Sequence, residues 1–169
     1  MRFPIKLLAF AVVTAALGAT LLPAGTAHAA SGEDVIKARV NFMKDDVEAH
    51  FKILAAYAKS GKGSLADVEK SAQELAALAK KIPEHFPKDT GRGHYPDKMT
   101  RALPVIWTDW AGFEKDAQKL VDGSEKLAEL AKKGDQEGAV ALIGKSGRYS
   151  RTKIGCAECH KTFRGDRVK

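Results

Sequence analysis

Cys156-Ala157-Glu158-Cys159-His160 is the stretch around which this chain of 169 residues is organised. The pattern is C-x-x-C-H, in which the second thiol and the imidazole follow the first thiol by three and four residues. On a helix these spacings bring the three side chains to one face. Two thiols so placed can add to the two vinyl groups of one porphyrin, while the imidazole lies under the iron. The motif predicts a covalently attached haem c, held by Cys156 and Cys159, with His160 as the proximal iron ligand.

Other uses of a C-x-x-C pair stay open at this point, although the sequence favours them less. A thioredoxin-like redox pair would lie at a strand-to-helix turn of a βαβ pattern, and the chain has no such pattern. A structural zinc site needs four ligands, but the chain has only two cysteines and no H-x-x-x-H run. A disulfide across two residues would be strained. The alternative from a different class of protein is a haem-free helical bundle in which the cysteines form a thiol switch.

Residues 1–30 have the three regions of a secretory signal peptide. A basic start, a largely apolar run and an A-x-A cleavage site follow one another at Arg2 and Lys6, Leu7 to Leu22, and Ala27-His28-Ala29. We expect cleavage near residues 29–30 and export to a bacterial periplasm, with residues 31–169 as the mature domain. A retained membrane anchor is the alternative, but the apolar run is short and broken by glycine. No second long apolar run follows, so no membrane span is expected in the mature chain.

Composition narrows the function of the mature domain, which is long enough to bury a core. The full chain carries a formal net charge of +7, and no basic stretch is interleaved with aromatic residues. A solvated surface of mixed sign is therefore expected, and nucleic acid is not expected as a partner. No G-x-S-x-G or H-E-x-x-H pattern occurs, and haem attachment would use both thiols. We predict a carrier or binding module rather than an enzyme.

Apolar residues recur every three or four positions in four segments, which is typical of amphipathic helices. Ser31, Ser64 and Asp135 are placed to cap the first, second and fourth segments, and Pro104 suits the first turn of the third. The expected core stripes are Ile36, Val40, Met43, Val47, His50, Leu54 and Tyr57; Val68, Ala72, Leu75, Leu78, Ala79 and Ile82; Ile106, Trp107, Trp110, Phe113, Ala117, Leu120, Leu127 and Leu130; and Val140 and Ile143. The sequence therefore predicts an all-α fold, an antiparallel four-helix bundle.

Two segments interrupt this helical pattern. Residues 83–103 are rich in proline and glycine and form a long loop, in which His85 and His94 are expected at the surface. Glycines between residues 144 and 155 predict that the fourth helix bends or breaks before the haem motif. Gly123 is a weak interruption of the third helix.

Three stretches, in order along the chain, resemble class II c-type cytochromes, the cytochrome c′ family. They are Arg39-Val40-Asn41-Phe42-Met43-Lys44, similar to R-x-x-x-M-K; Thr100-Arg101-Ala102-Leu103-Pro104-Val105-Ile106-Trp107, similar to T-R-A-x-P-x-I-W; and Cys156 to Arg164, similar to C-x-x-C-H-x-x-[FY]-R. The resemblance covers nearly the whole mature chain, and the C-terminal haem motif agrees with it. Two departures are Val40, where many members have glutamine, and a long polar stretch from Ser146 to Gly155.

The resemblance implies a haem between the helices of the bundle, with His160 as proximal ligand and Arg164 near that imidazole. Arg39 would lie near the haem propionates, and Arg101 is a further candidate for the same role. Family members carry electrons or bind small gases such as NO and CO, and they often pair as homodimers through their first two helices. Periplasmic redox proteins would be the partners of an electron carrier.

Met43 decides between these two functions. Methionine at an interior helix position is often only a core residue. In one branch of the family the residue at this position blocks a vacant distal face, and the iron is five-coordinate. In another branch a methionine sulfur binds the iron, and methionine ligation raises the reduction potential. We expect Met43 to be the sixth ligand, and a five-coordinate protein that binds NO or CO is the alternative.

Overall fold

The structure, a computed structural model, describes residues 31–168, and the expected signal peptide, residues 1–30, lies outside them. The α-helices in this part of the chain are α1 (Gly32–Asn41), α2 (Glu48–Ser60), α3 (Leu65–Ala79), α4 (Val105–Thr108), α5 (Trp110–Lys132), α6 (Gln136–Ile143) and α7 (Cys156–Phe163). A π-helical stretch, Phe42–Val47, joins α1 to α2. Within the described residues, strand pairing is limited to isolated bridges. Each helix in this part of the chain is too short or too polar to span a membrane.

Side-chain caps begin the helices where the sequence predicts them. Ser31 accepts a hydrogen bond from the amide of Asp34, and Asp135 accepts one from the amide of Gly138. Ser64 and Asp67 form a reciprocal capping box at the start of α3. These contacts satisfy amides that have no partner inside the helix, which fixes where each helix starts.

The helices form the predicted antiparallel four-helix bundle. The first leg is the continuous helical run of α1, the π-helical stretch and α2, and α3 and α5 are the second and third legs. The fourth leg consists of α6 and α7. Apolar side chains from all four legs form one core, which includes the fully buried Leu54, Leu75, Leu127 and Ile143. The core positions α7, and with it the haem motif, against the middle of α5.

Three details of the helices differ from the expectation. Val40 is 45% exposed rather than part of the core stripe, because Arg39 and Phe42 take the interior positions in this turn. The third helix is interrupted at Asp109, whose non-helical backbone (φ −127°, ψ 58°) ends α4, while its side chain caps α5. The fourth helix breaks between Ile143 and Cys156, as the glycines in this segment predicted.

Candidate functional site

The C-x-x-C-H motif forms the first turn and a half of α7. Gly155 caps the helix with φ of 110°, and the helical register brings Cys156, Cys159 and His160 to one side. Both cysteines are free thiols and partly buried. Burial is the main cause that raises the pKa of each thiol to about 12, so both are protonated at neutral pH. The motif thus presents two neutral thiols and an imidazole from one short helix.

Two glycines allow the chain that enters α7 to lie directly against α5. A Cβ atom at Gly123 would lie 2.5 Å from the carbonyl oxygen of Ile154 and 2.7 Å from its Cα. A Cβ atom at Gly155 would lie 2.6 Å from the backbone nitrogen of Leu120. Backbone atoms at such distances cannot move aside by a side-chain rotation. The surface of α5 therefore fixes the position at which the haem motif begins.

The imidazole of His160 lies next to the guanidinium of Arg164. The distance between Nδ1 of His160 and a terminal nitrogen of Arg164 is 3.4 Å. Burial, followed by the positive charges of Arg164 and Arg101, lowers the pKa of His160 to about 4. His160 is therefore neutral at physiological pH, which is the form in which an imidazole binds a metal. Arg101 also donates from Nε to the carbonyl oxygen of Gly165 at 2.7 Å, so both arginines lie near the end of α7.

Met43 lies inside the π-helical stretch. The amide of Glu48 donates to the carbonyl of Met43, five residues earlier, as is typical of π-helical geometry. Such stretches are rare inside α-helices and often occur at functional sites. Met43 is partly buried and packs against the same hydrophobic core that Cys156 and Cys159 border. It is therefore an interior methionine at the point where the first leg of the bundle is irregular.

Arg39, one helical turn before Met43, is only 4% exposed. Its guanidinium donates to the hydroxyl of Thr90 at 2.9 Å, to the carbonyl oxygen of Thr90 at 2.7 Å and to the hydroxyl of Thr100 at 2.9 Å. None of the ion pairs found among residues 31–168 includes Arg39. Burial lowers its pKa to about 10, which still leaves it charged at neutral pH. Arg39 is thus a buried cation whose observed partners are neutral oxygens and the ring of Phe86, whose centroid lies 4.7 Å from the guanidinium carbon.

Residues 83–103 contact both the first leg and the end of α7. Thr90 and Thr100 bind Arg39 from this loop, as described above. The amide of Leu103 donates to the carbonyl of Phe163 at 3.1 Å, and the amide of Gly165 donates to the carbonyl of Arg101 at 2.8 Å. Neither hydroxyl was predicted to contact Arg39, and Thr100 drew notice only as the first residue of the T-R-A-x-P-x-I-W stretch, because hydroxyls in an irregular segment give no periodic signal.

His85, in the same loop, is partly buried rather than at the surface as expected. Its ring stacks on Phe42, with 3.8 Å between ring centroids and 17° between ring planes. Burial is the largest influence on its pKa and lowers it below the ordinary value of 6.5. The charges of Glu84 and Asp46 oppose this shift, and those of Arg39 and Lys81 add to it. The uncharged ring is therefore the form that suits this stacked position.

The lowered pKa of His85 predicts a pH dependence of stability. The unfolded chain takes up a proton on this histidine at a higher pH than the folded chain does. The contribution of His85 to the free energy of unfolding should therefore be fully present above pH 6.5 and decrease below it. Urea denaturation at pH 7.5 and pH 5.5 should show a smaller acid-induced loss in His85→Gln than in the wild type. The control is His94→Gln, which removes an exposed loop histidine and should not reduce the acid-induced loss. An equal acid-induced loss in His85→Gln and wild type would contradict the prediction.

The chemistry of these residues fits a haem c. In the described part of the chain, no group of three or more His, Cys, Asp or Glu side chains is arranged to hold a metal ion directly. The two thiols and the imidazole instead line one side of a helix, as attachment to separate atoms of a porphyrin requires. The buried cation Arg39 is chemically suited to a haem propionate.

Comparison with known proteins finds the same family that the three sequence stretches resemble. A sequence profile of the family described as Cytochrome C′ matches residues 34–164. A cytochrome c′ of Pararhodospirillum photometricum is 32% identical over 134 residues, which cover 76% of this chain and 97% of that protein. A solved cytochrome c′ structure from Rhodobacter Spheriodes has a TM-score of 0.66 at 29% identity, and the match covers 82% of this chain and all of that one. A nitric oxide complex of a variant cytochrome c prime from Alcaligenes xylosoxidans has a TM-score of 0.62 at 25% identity, covering 82% and 99% of the two chains.

Proposed function

The chain belongs to the cytochrome c′ family, and we propose that it is a one-electron carrier with His160 and Met43 as the axial ligands of a covalent haem c. The haem supplies an iron that changes its oxidation state by one electron. The protein supplies attachment, axial ligation and an apolar enclosure. By both binding the iron, His160 and Met43 would allow electron exchange with little rearrangement, which suits a carrier.

Residues near α7 and in the first leg are assigned roles in this proposal. Cys156 and Cys159 attach the cofactor to α7, and the neutral His160 binds the iron from the same side of this helix. Arg164 lies 3.4 Å from Nδ1 of His160, where its positive charge helps to keep the imidazole neutral. Arg39 offers its buried positive charge to a propionate, and Arg101 is a second cation for this purpose near the end of α7.

The observation that carries the proposal is the position of Met43 in the π-helical stretch. The thioether is a suitable axial ligand for haem iron. The sequence match to R-x-x-x-M-K and the position of Met43 against the core that both cysteines border support the same role.

Met43→Ala tests this proposal through the absorption spectrum of the ferric protein. We expect a low-spin, six-coordinate wild type and a high-spin Met43→Ala variant, because alanine offers no sulfur. The midpoint potential of the variant should fall by on the order of 0.1 V, within the wide range that axial ligands span. Met99→Ala, in the loop, is the matched control and should keep the wild-type spectrum. A high-spin wild type whose spectrum is unchanged by Met43→Ala would rule out the ligation.

The second candidate function is gas binding at an open distal face. It is favoured by the similarity to a cytochrome c prime that was solved as a nitric oxide complex. Titration of the ferrous protein with CO or NO separates the two functions. Rapid, stoichiometric binding indicates an open iron, whereas slow binding indicates that a ligand has to leave first.

Export and partners complete the proposal. Residues 1–30 direct the chain to the periplasm and are removed near residues 29–30, and the partners there are other redox proteins. Pairing of two copies through the first two helical legs is the proposed oligomeric state. Mass spectrometry of the exported protein tests the cleavage and the haem attachment, since the chain should begin near residue 30 or 31 and be heavier by one haem. A haem stain on a denaturing gel excludes the thiol switch if the colour stays with the polypeptide.

A further inference from the structure

Residues 83–103 physically connect the two segments that carry the proposed axial ligands. One contact of this loop is with Arg39, one helical turn before Met43. The other is with the residues that follow α7, and these residues start at Arg164, one helical turn after His160. Thr100 lies where these two contacts meet.

Thr100 is only 3% exposed, and its polar atoms accept hydrogen bonds from three directions. Its hydroxyl oxygen accepts from Arg39 at 2.9 Å and from the amide of Ala102 at 3.2 Å. Its carbonyl oxygen accepts from Nε of Arg92 at 3.2 Å. One residue thus joins the first leg of the bundle to loop residues that precede and follow it, Arg92 and Ala102.

The connection continues from Thr100 to α7 mainly through backbone atoms. Ala102 forms an antiparallel bridge with Arg164, and the neighbouring hydrogen bonds join Leu103 to Phe163 and Gly165 to Arg101. Arg92 reinforces this contact by donating to the carbonyl oxygen of Asp166. Since few rotatable side-chain bonds lie between Thr100 and the end of α7, a displacement at one end is transmitted to the other.

We infer that Thr100 is a positioning residue for axial ligation, which holds the segment of Met43 and α7 at a fixed separation. This inference rests on the proposed function, because it requires Met43 to bind the iron. The thioether is a single neutral donor at the end of a flexible side chain, so its bond to iron depends on the position of its helix. Without the Thr100 hydroxyl, Arg39 loses one of its ties to the loop, and Met43 leaves the iron more often.

The rate of CO binding to the ferrous holoprotein measures how often Met43 leaves the iron, because CO binds only when Met43 has left. Thr100→Val, which keeps the shape and removes the hydroxyl, should raise this rate roughly five- to tenfold, the effect expected of one buried hydrogen bond. The sulfur-to-iron charge-transfer band of the ferric protein should weaken in parallel. Thr100→Ser should restore both values. Ser64→Ala is the control, since it removes a helix cap at the other end of the bundle and lowers stability without touching the loop.

The outcomes separate this inference from the proposed function. A wild-type spectrum that Met43→Ala leaves unchanged overturns both. If the wild type is ligated but Thr100→Val binds CO at a rate within twofold of the wild-type rate, the positioning role alone is overturned. It is also overturned if Ser64→Ala raises the rate as much as Thr100→Val does. If Thr100→Val does not accumulate as holoprotein, Arg92→Gln replaces it, because this change removes the hydrogen bonds from Arg92 to Thr100 and to Asp166 and so cuts the same connection. Arg92→Gln must then show the same rise in rate, and an unchanged rate overturns the inference.

Discussion

Gly123→Ala is expected to destabilise the protein by about 3 kcal/mol, the upper end of the usual cost of overpacking. Helix propensity alone predicts the opposite sign, a gain of about 1 kcal/mol for alanine over glycine inside a helix. The added Cβ would lie 2.5 Å from the carbonyl oxygen of Ile154, and this backbone cannot move without displacing Gly155 and the start of α7. The sign of the change therefore distinguishes close packing from local propensity.

Chemical denaturation of the holoprotein measures this effect, and Ser124→Ala is the control on the same helix. Ser124 is fully buried, and its hydroxyl has no hydrogen-bond partner within the described structure, so alanine there should be neutral or stabilising. Gly123→Ala should in addition perturb the haem spectrum, because Ile154 and Gly155 precede Cys156 directly. A Gly123→Ala variant as stable as Ser124→Ala would show that α5 and the residues before α7 do not pack as closely as described.

Gly123 also illustrates what the sequence could not predict. Within a helical pattern a glycine weakens the expected helix, and nothing nearby indicates that another segment lies against it. Glycine is needed at this position because the backbone of Ile154, some thirty residues later in the chain, lies against it. Close approaches of this kind depend on the relative position of two segments, and local patterns carry no information about it.

Features that depend on local chemistry were predicted well. The capping pairs at Ser31, Ser64 and Asp135 act within a few residues of the chain, and the structure confirms all three. The four amphipathic segments gave the bundle for the same reason, since a helix with one apolar face has to bury it. The break of the third helix at Asp109 was missed, because Pro104 and the apolar residues around it are compatible with one uninterrupted helix.

The π-helical stretch shows a limit of periodicity itself. The spacing of Ile36, Val40, Met43 and Val47 fits an uninterrupted α-helix, yet Val40 is exposed and Arg39 is buried. A buried arginine is costly unless its donors are paired, and its partners Thr90 and Thr100 belong to a loop some fifty to sixty residues later. The family resemblance identified Arg39 as important but gave no indication of the loop contacts.

Arg39→Leu is therefore expected to destabilise the holoprotein by about 3 kcal/mol, as judged by its denaturation midpoint. Leucine leaves the buried carbonyl oxygen of Thr90 without its donor, and an unpaired buried group costs about 1–3 kcal/mol. The hydroxyls of Thr90 and Thr100 each lose one hydrogen bond but keep a second partner, the carbonyl of Pro87 and the amide of Ala102 respectively. Relief from burying a charge offsets part of this loss, since burial already lowers the pKa of Arg39 to about 10. A propionate left without its cation would add to the loss.

Two further variants show which property of Arg39 is responsible. Arg39→Lys keeps the charge but cannot reach both threonines with a planar fork, so we expect a loss intermediate between wild type and Arg39→Leu. Arg151→Leu makes the same change at an exposed arginine and should stay within about 0.5 kcal/mol of wild type. If Arg39→Lys is as stable as wild type, the charge alone accounts for the role of Arg39. If Arg39→Leu is as stable as wild type, the hydrogen bonds to the loop contribute nothing net, and residues 83–103 must be held mainly by their contacts with the end of α7.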